Sequence, residues 1–142
     1  MNNYGGIFMK WSFVVEVDNW NNVRDIVEKK CKEVAFNLGK HDNEKSIYKV
    51  IATFYQKKSR WLMNDSSIPR QDWGIDLDNM LKPVFDGLGP IIGYRIDWQG
   101  SKKNPGVLDS NIVEVYAKKV NSGSEKEFIG VEIELLHTSK LI

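Results

Sequence analysis

The chain has 142 residues, 42% of them hydrophobic and 27% charged, with a formal net charge of +1. That length fits a single domain with a real core. The near-zero charge excludes bulk attraction to a polyanion, so any nucleic-acid site must be a local patch. The one cysteine, Cys31, excludes an internal disulfide and fits a reducing compartment. The run Trp11-Ser12-Phe13-Val14-Val15 lacks the basic start and cleavage site of a secretory signal, and no stretch is long enough to span a membrane. A cytoplasmic protein is expected.

In chain order, residues 1–8 read as a loose start. Residues 11–18 alternate and are β-branched enough for a strand. Residues 19–38 read as a helix, with Val23, Ile26, Val27, Val34, Ala35 and Leu38 along one side and Gly39 suited to its end. Cys31 falls inside it as core filler rather than nucleophile. A second strand spans Ser46–Gln56, with Tyr48, Val50, Ala52 and Phe54 on one face. A long irregular segment follows over 57–74, carrying Lys57, Lys58, Arg60, Trp61, Arg70 and Trp73. Loops of that length in a compact domain usually serve a function or stay disordered. Its cations are expected to grip phosphates. Trp61 and Trp73 either stack on an unpaired base or pack on the domain.

A short helix comes next. Asp78, Lys82 and Asp86 fall at i, i+4 and i+8 and share a face, while Leu77, Met80, Leu81, Val84, Phe85 and Leu88 form the opposite, buried one. Pro83 lies inside it and removes one backbone bond. Asp76 and Asp78, at its start, either cap the helix and favour its dipole or hold a divalent cation. A calcium loop is excluded, because Met80, Leu81 and Gly87 stand where such a loop needs an oxygen ligand, a glycine and a glutamate. Lys82 either pairs with Asp78 or Asp86 or faces a phosphate. Further on, Lys102 and Lys103 offer a second phosphate contact, and Asp109 precedes a third strand. Residues 112–120 and 128–136 alternate and read as a hairpin joined through Asn121-Ser122-Gly123-Ser124. His41 and His137 form no metal pair. The order β-α-β-α-β-β predicts an α+β domain on a mixed sheet, with helices on one or both faces.

Asp76-Leu77-Asp78-Asn79, Lys82-Pro83 and Asp86-Gly87-Leu88, followed by Asp109-Ser110-Asn111-Ile112-Val113-Glu114 entering a strand, resemble the RusA family of Holliday junction resolvases. The resemblance spans roughly residues 76–119. It implies a RusA-like fold over 1–142 and a homodimeric, magnesium-dependent endonuclease that cuts four-way DNA junctions symmetrically, with manganese as an alternative ion. It assigns Asp76, Asp78 and Asp109 as metal-binding carboxylates and Lys82 as the catalytic cation. Two features differ. The family's paired acids before the third strand are Leu108-Asp109 here, and the interval after Leu88 is longer and contains Asp97, a second candidate for the third acid. Lys57, Lys58, Arg60, Arg70, Lys102 and Lys103 are the candidate DNA contacts. Two other functions fit the same residues: a nuclease acting on unbranched nucleic acid, and a DNA-binding module without cleavage.

Overall fold

A computed structural model describes residues 9–35, 45–71, 75–95 and 106–138. The loose start predicted for 1–8, the end of the first predicted helix and Gly39, together with His41, Trp73, Asp97, Lys102 and Lys103, lie outside these residues.

Four strands, β1 (Met9–Glu16), β2 (Ser46–Gln56), β3 (Ile112–Asn121) and β4 (Phe128–Thr138), form one mixed sheet in the order β1-β4-β2-β3. Three helices join them: α1 (Val23–Ala35), α2 (Leu77–Asp86) and the single turn α3 (Gly89–Ile92). The result is a small α+β domain. β4 runs antiparallel to both neighbours, while β2 and β3 are parallel. β1 and β2 therefore point the same way with β4 between them, a split β-α-β unit.

One face of the sheet carries the core. Trp11, Phe13 and Val15 of β1, Tyr48, Val50, Ala52 and Phe54 of β2, and Ile129, Val131, Ile133 and Leu135 of β4 are all buried on it. The alternation seen in the sequence thus names the helix-covered side correctly. Against it α1 lays Val23, Val27 and Cys31, spaced four apart along one stripe. The helix begins later than its pattern suggests, because Asn19 caps a 3-10 turn over Trp20–Asn22 by accepting from the Asn21 N–H at 2.9 Å. Burial, then the field of Glu28, pushes the Cys31 thiol up to about 12. It is inert packing, as expected. Among the described residues no helix is long and apolar enough to cross a membrane.

The predicted β3–β4 hairpin does not form. β4 inserts between β1 and β2, and β3 pairs with β2 alone. The connection instead passes over the end of β2, where Ser122 N–H donates to Gln56 O at 2.7 Å and Lys58 N–H donates to Ser124 O at 2.8 Å. Composition explains the exchange. β4 brings Ile129, Val131, Ile133, Leu135 and Leu136 and suits the centre. β3 carries Glu114, Lys118 and Lys119 and suits an edge, where charges are tolerated.

Helices α1 and α2 meet closely at Gly87. A Cβ there would stand 2.8 Å from the Arg24 carbonyl oxygen and 2.8 Å from Val27 Cβ. The backbone oxygen cannot yield without moving α1. We expect Gly87→Ala to destabilise the fold by about 1–3 kcal/mol. Urea unfolding followed by circular dichroism measures it, and an unchanged midpoint would contradict the close crossing.

Candidate functional site

The acidic helix has the two faces its sequence predicts. Met80, Val84 and Leu88 are fully buried, Leu77, Leu81 and Phe85 are partly buried against the core, and Asp76, Asp78 and Lys82 are exposed. Asp76 occupies the N-cap position of α2 with an extended backbone, yet its side chain makes no capping hydrogen bond. Asp78 sits in the first turn. Among the described residues neither carboxylate takes a hydrogen-bond or ion-pair partner. Capping therefore does not account for these two acids, although both still sit at the positive end of the helix dipole.

Lys82 reaches down the helix rather than up. Its Nζ lies 2.9 Å from Asp86 Oδ1, leaving the Asp78 carboxylate out of the pair. That hydrogen bond raises the Lys82 pKa; burial opposes it, the charges of Asp86 and Asp109 add to it, and Arg95 subtracts. Lys82 is a full cation at neutral pH. Because its folded pKa is raised, the pair's small contribution is present below the ordinary lysine value of 10.5 and fades as pH rises through the folded value.

Asp109 comes close to this group through a feature the sequence did not reveal. Residues on either side of 96–105 pair as a short ladder: Arg95 N–H donates to Gly106 O at 2.7 Å, Leu108 N–H donates to Gly93 O at 3.0 Å, and Tyr94 bridges Val107. Gly93, at φ 95, makes the entry to the ladder. Gly89 lets the Tyr94 ring approach, since a Cβ there would meet it at 2.3 Å. The ladder delivers the chain to a 3-10 turn over Asp109–Asn111 and then to β3. Asp109 lies half-buried, with Oδ1 3.8 Å from Arg95 Nη2. Arg95 is a site residue that sequence reasoning missed. Only the return of the chain onto Gly93 reveals its place.

Helix α2 carries its C-terminal end against the first turns of α1, near the end of the sheet where β1 finishes. Lys82, Arg95 and Asp109 lie within electrostatic reach of one another, and Asp78 and Asp76 precede Lys82 by a turn or more along α2. Among the described residues, no three His, Cys, Asp or Glu side chains converge closely enough to hold a metal ion as they stand. The donor chemistry nevertheless suits a hard divalent cation. Asp76 and Asp78 offer two unpartnered carboxylates, and such ions accept a few carboxylates and keep several waters. An ion would have to draw Asp76, Asp78 and a third acid together.

The start of the long segment lies at the end of the sheet opposite to Asp109. Lys57 and Lys58 follow the end of β2, and the segment is pinned there by Lys58 N–H to Ser124 O, by Arg70 N–H to Arg60 O at 2.8 Å, and by Asn121 Nδ2 to Ser66 O at 3.2 Å. Asp109 leads into β3 at the opposite end, where Ile112 pairs with Tyr48. Strand rise separates the two ends by about 30 Å.

Arg60 in particular is not a surface cation. Its guanidinium donates to both oxygens of the buried Glu127, Nε to Oε2 at 2.8 Å and Nη2 to Oε1 at 3.3 Å. Trp20 Nε1 and the Lys57 N–H also donate to Glu127, at 3.0 and 3.1 Å. Burial works against ionisation of Glu127, but the hydrogen bonds from Arg60, Trp20 and Lys57, with the Arg60 charge, together hold its carboxyl below the usual glutamate value. Trp61 is buried as well, so its ring packs on the domain and is closed to base stacking.

No protein-family model matches the chain, and no curated protein matches it significantly.

Proposed function

We propose that the chain is a RusA-like endonuclease that hydrolyses phosphodiester bonds in four-way or other branched DNA with magnesium, acting as a homodimer. The observation that carries this reading is the pair Asp76 and Asp78. They stand exposed at the open end of α2, without the capping bonds that would explain them, in the region where Lys82 feels the charge of Asp109. The resemblance of the motif supplies the family and the substrate. Asp76, Asp78 and Asp109 are the carboxylates that would hold the ion, and manganese would serve in its place. A bound magnesium would act as a Lewis acid on the scissile phosphate and make an attacking water more acidic. Lys82 holds its positive charge where the phosphate would dock and would favour the charge that develops there. Arg95, with Nη2 3.8 Å from Asp109 Oδ1, would orient that carboxylate. Two equivalent sites in a symmetric dimer would make paired nicks.

Lys57 and Lys58, at the end of the sheet opposite to Asp109, would bind a DNA arm, and Lys102 and Lys103 remain candidate phosphate contacts. Such grip on the backbone implies affinity that falls steeply with salt and selection by shape rather than base sequence. Lys82→Met is expected to lower cleavage by roughly 10²-fold while leaving stability within about 0.5 kcal/mol, since its partner is an exposed i, i+4 carboxylate. Single-turnover cleavage and thermal melting read the two effects, and unaltered cleavage would remove Lys82 from the site.

One observation favours a different reading. Leu108 stands where the family has an acid, and Asp109 already has Arg95 as a partner. Both suit a module that binds branched DNA without cutting it. A gel assay on a synthetic four-way junction, a linear duplex and a single strand, with and without magnesium, separates the possibilities. Symmetric nicks in the junction alone support the resolvase. Cutting of all three substrates supports the broader nuclease, and binding without cutting supports the module.

A further inference from the structure

Among the described residues nothing pairs with the outer edge of β3. Among these residues β3 pairs with β2 on one side only; it is ten residues long without a proline, and its one register shift, at Val113, lies near its start, so that 114–121 runs regularly beside β2. It also exposes large apolar side chains: Val113 is 45% accessible, Val115 41% and Tyr116 57%. Lysines on such an edge ordinarily repel another chain. Here the lysine is matched by an acid at a spacing that makes the strand complementary to itself.

Consider two copies of β3 side by side and antiparallel, with both helical layers on one side of the joined sheet. Side chains that face each other must then come from the same face of β3. Glu114, Tyr116 and Lys118 share the uncovered face, as their pairing with Lys49, Ile51 and Thr53 of β2 shows. Centring the two-fold axis on Tyr116 sets Glu114 opposite Lys118 of the second copy, and Lys118 opposite Glu114, so two attractive pairs form at once. The same register matches Val115 with Ala117 on the covered face and Tyr116 with itself. Shifting the centre to Glu114 or to Lys118 puts like charges face to face. Shifting it to Val115 or Ala117 leaves both charges opposite uncharged side chains. Among the described residues Glu114 and Lys118 have no partner within their own chain. Lys49 does: it bridges Glu134 at 3.5 Å and lies 5.0 Å from the centre of the Tyr116 ring, which holds that ring on the uncovered face.

We propose that β3 is the dimer interface of this protein, pairing antiparallel with β3 of a second copy about an axis at Tyr116. The joined sheet has eight strands. α2, the helix that packs beside β3, lies in both copies on the same side of that sheet, with one Asp109 at each end of the paired strands. The edge and its charges, not the nuclease reading, point to this pairing, and its test measures mass rather than cleavage.

Sedimentation velocity over a concentration series is the experiment, with variants that reverse the charges. The 16.4 kDa chain should sediment as a dimer. Glu114→Lys alone and Lys118→Glu alone should each weaken dimerisation roughly tenfold or more, because each turns two attractive pairs into two repulsive ones. The double variant Glu114→Lys with Lys118→Glu should restore it. Tyr116→Cys, under a mild oxidant, should give a disulfide-linked dimer, whereas Val14→Cys on the opposite edge should not; Cys31 is buried and does not compete. A wild-type chain that remains monomeric at hundreds of micromolar overturns the proposal. So does a dimer indifferent to both single reversals, or cross-linking at position 14 in place of 116. If a single reversal fails to fold, the double variant and the cysteine pair still decide the matter.

Discussion

Asp78→Asn is expected to reduce magnesium-dependent junction cleavage by roughly 10²–10³-fold or more, and Asp76→Asn to do the same. Asparagine keeps the shape of the side chain and removes the charge that a hard cation needs. The folded state should hardly notice. Asp78 is exposed and Asp76 makes no capping bond, so neither substitution removes a contact. Removing one of two neighbouring carboxylates also relieves their repulsion, so melting should stay level or rise slightly, as is common when a functional site is neutralised. The combination is diagnostic: activity lost, stability kept, junction binding retained in a gel shift. Cleavage at the wild-type rate by Asp78→Asn would remove the metal assignment altogether.

The largest effect on stability is expected far from these acids. Glu127→Ala deletes a buried carboxylate that accepts from Trp20, from the Lys57 N–H and twice from Arg60. It also removes the carboxylate that the largely buried Arg60 side chain, 17% exposed, holds through two hydrogen bonds. Breaking such a pair from one side costs about 3–5 kcal/mol. In a domain of this size that corresponds to a drop in melting temperature on the order of 10 °C. The pH dependence has a definite sign. The folded pKa of Glu127 is depressed, so its contribution is complete above the ordinary glutamate value of 4.5 and is lost as pH falls through the lower folded value. Glu127→Gln should therefore flatten the acid side of the stability curve below about pH 4.5. A wild-type acid profile in that variant would mean that another carboxylate governs acid unfolding.

The two predictions show where sequence reasoning succeeds and where it stops. Periodicity exposed β2 with its buried face, the core stripe of α1 and the two faces of α2, because burial imprints a period of 2 or 3.6 on each element. Strand order was not legible. β3 and β4 alternate equally well, and a link rich in Asn, Ser and Gly suits either a hairpin or a crossing over β2. Only the competition for the central position separates the apolar β4 from the charged β3. The acids of α2 were legible because they lie together in the chain. Arg95 was not, since it depends on residues 93–95 and 106–108 meeting across an intervening segment. The engagement of Arg60 with Glu127 was not legible for the same reason: the two lie 67 residues apart. A cation's task depends on which carboxylate the fold brings to it, and composition does not record that.

The central claim is that Asp76, Asp78 and a third acid close on one divalent ion. Anomalous diffraction from a crystal soaked in manganese tests it most directly. The account predicts a peak about 2.0–2.2 Å from oxygens of Asp76 or Asp78, as expected for a small hard cation, with Asp109 or Asp97 completing the site. A manganese peak elsewhere on the protein, or none near the first turn of α2, would contradict it.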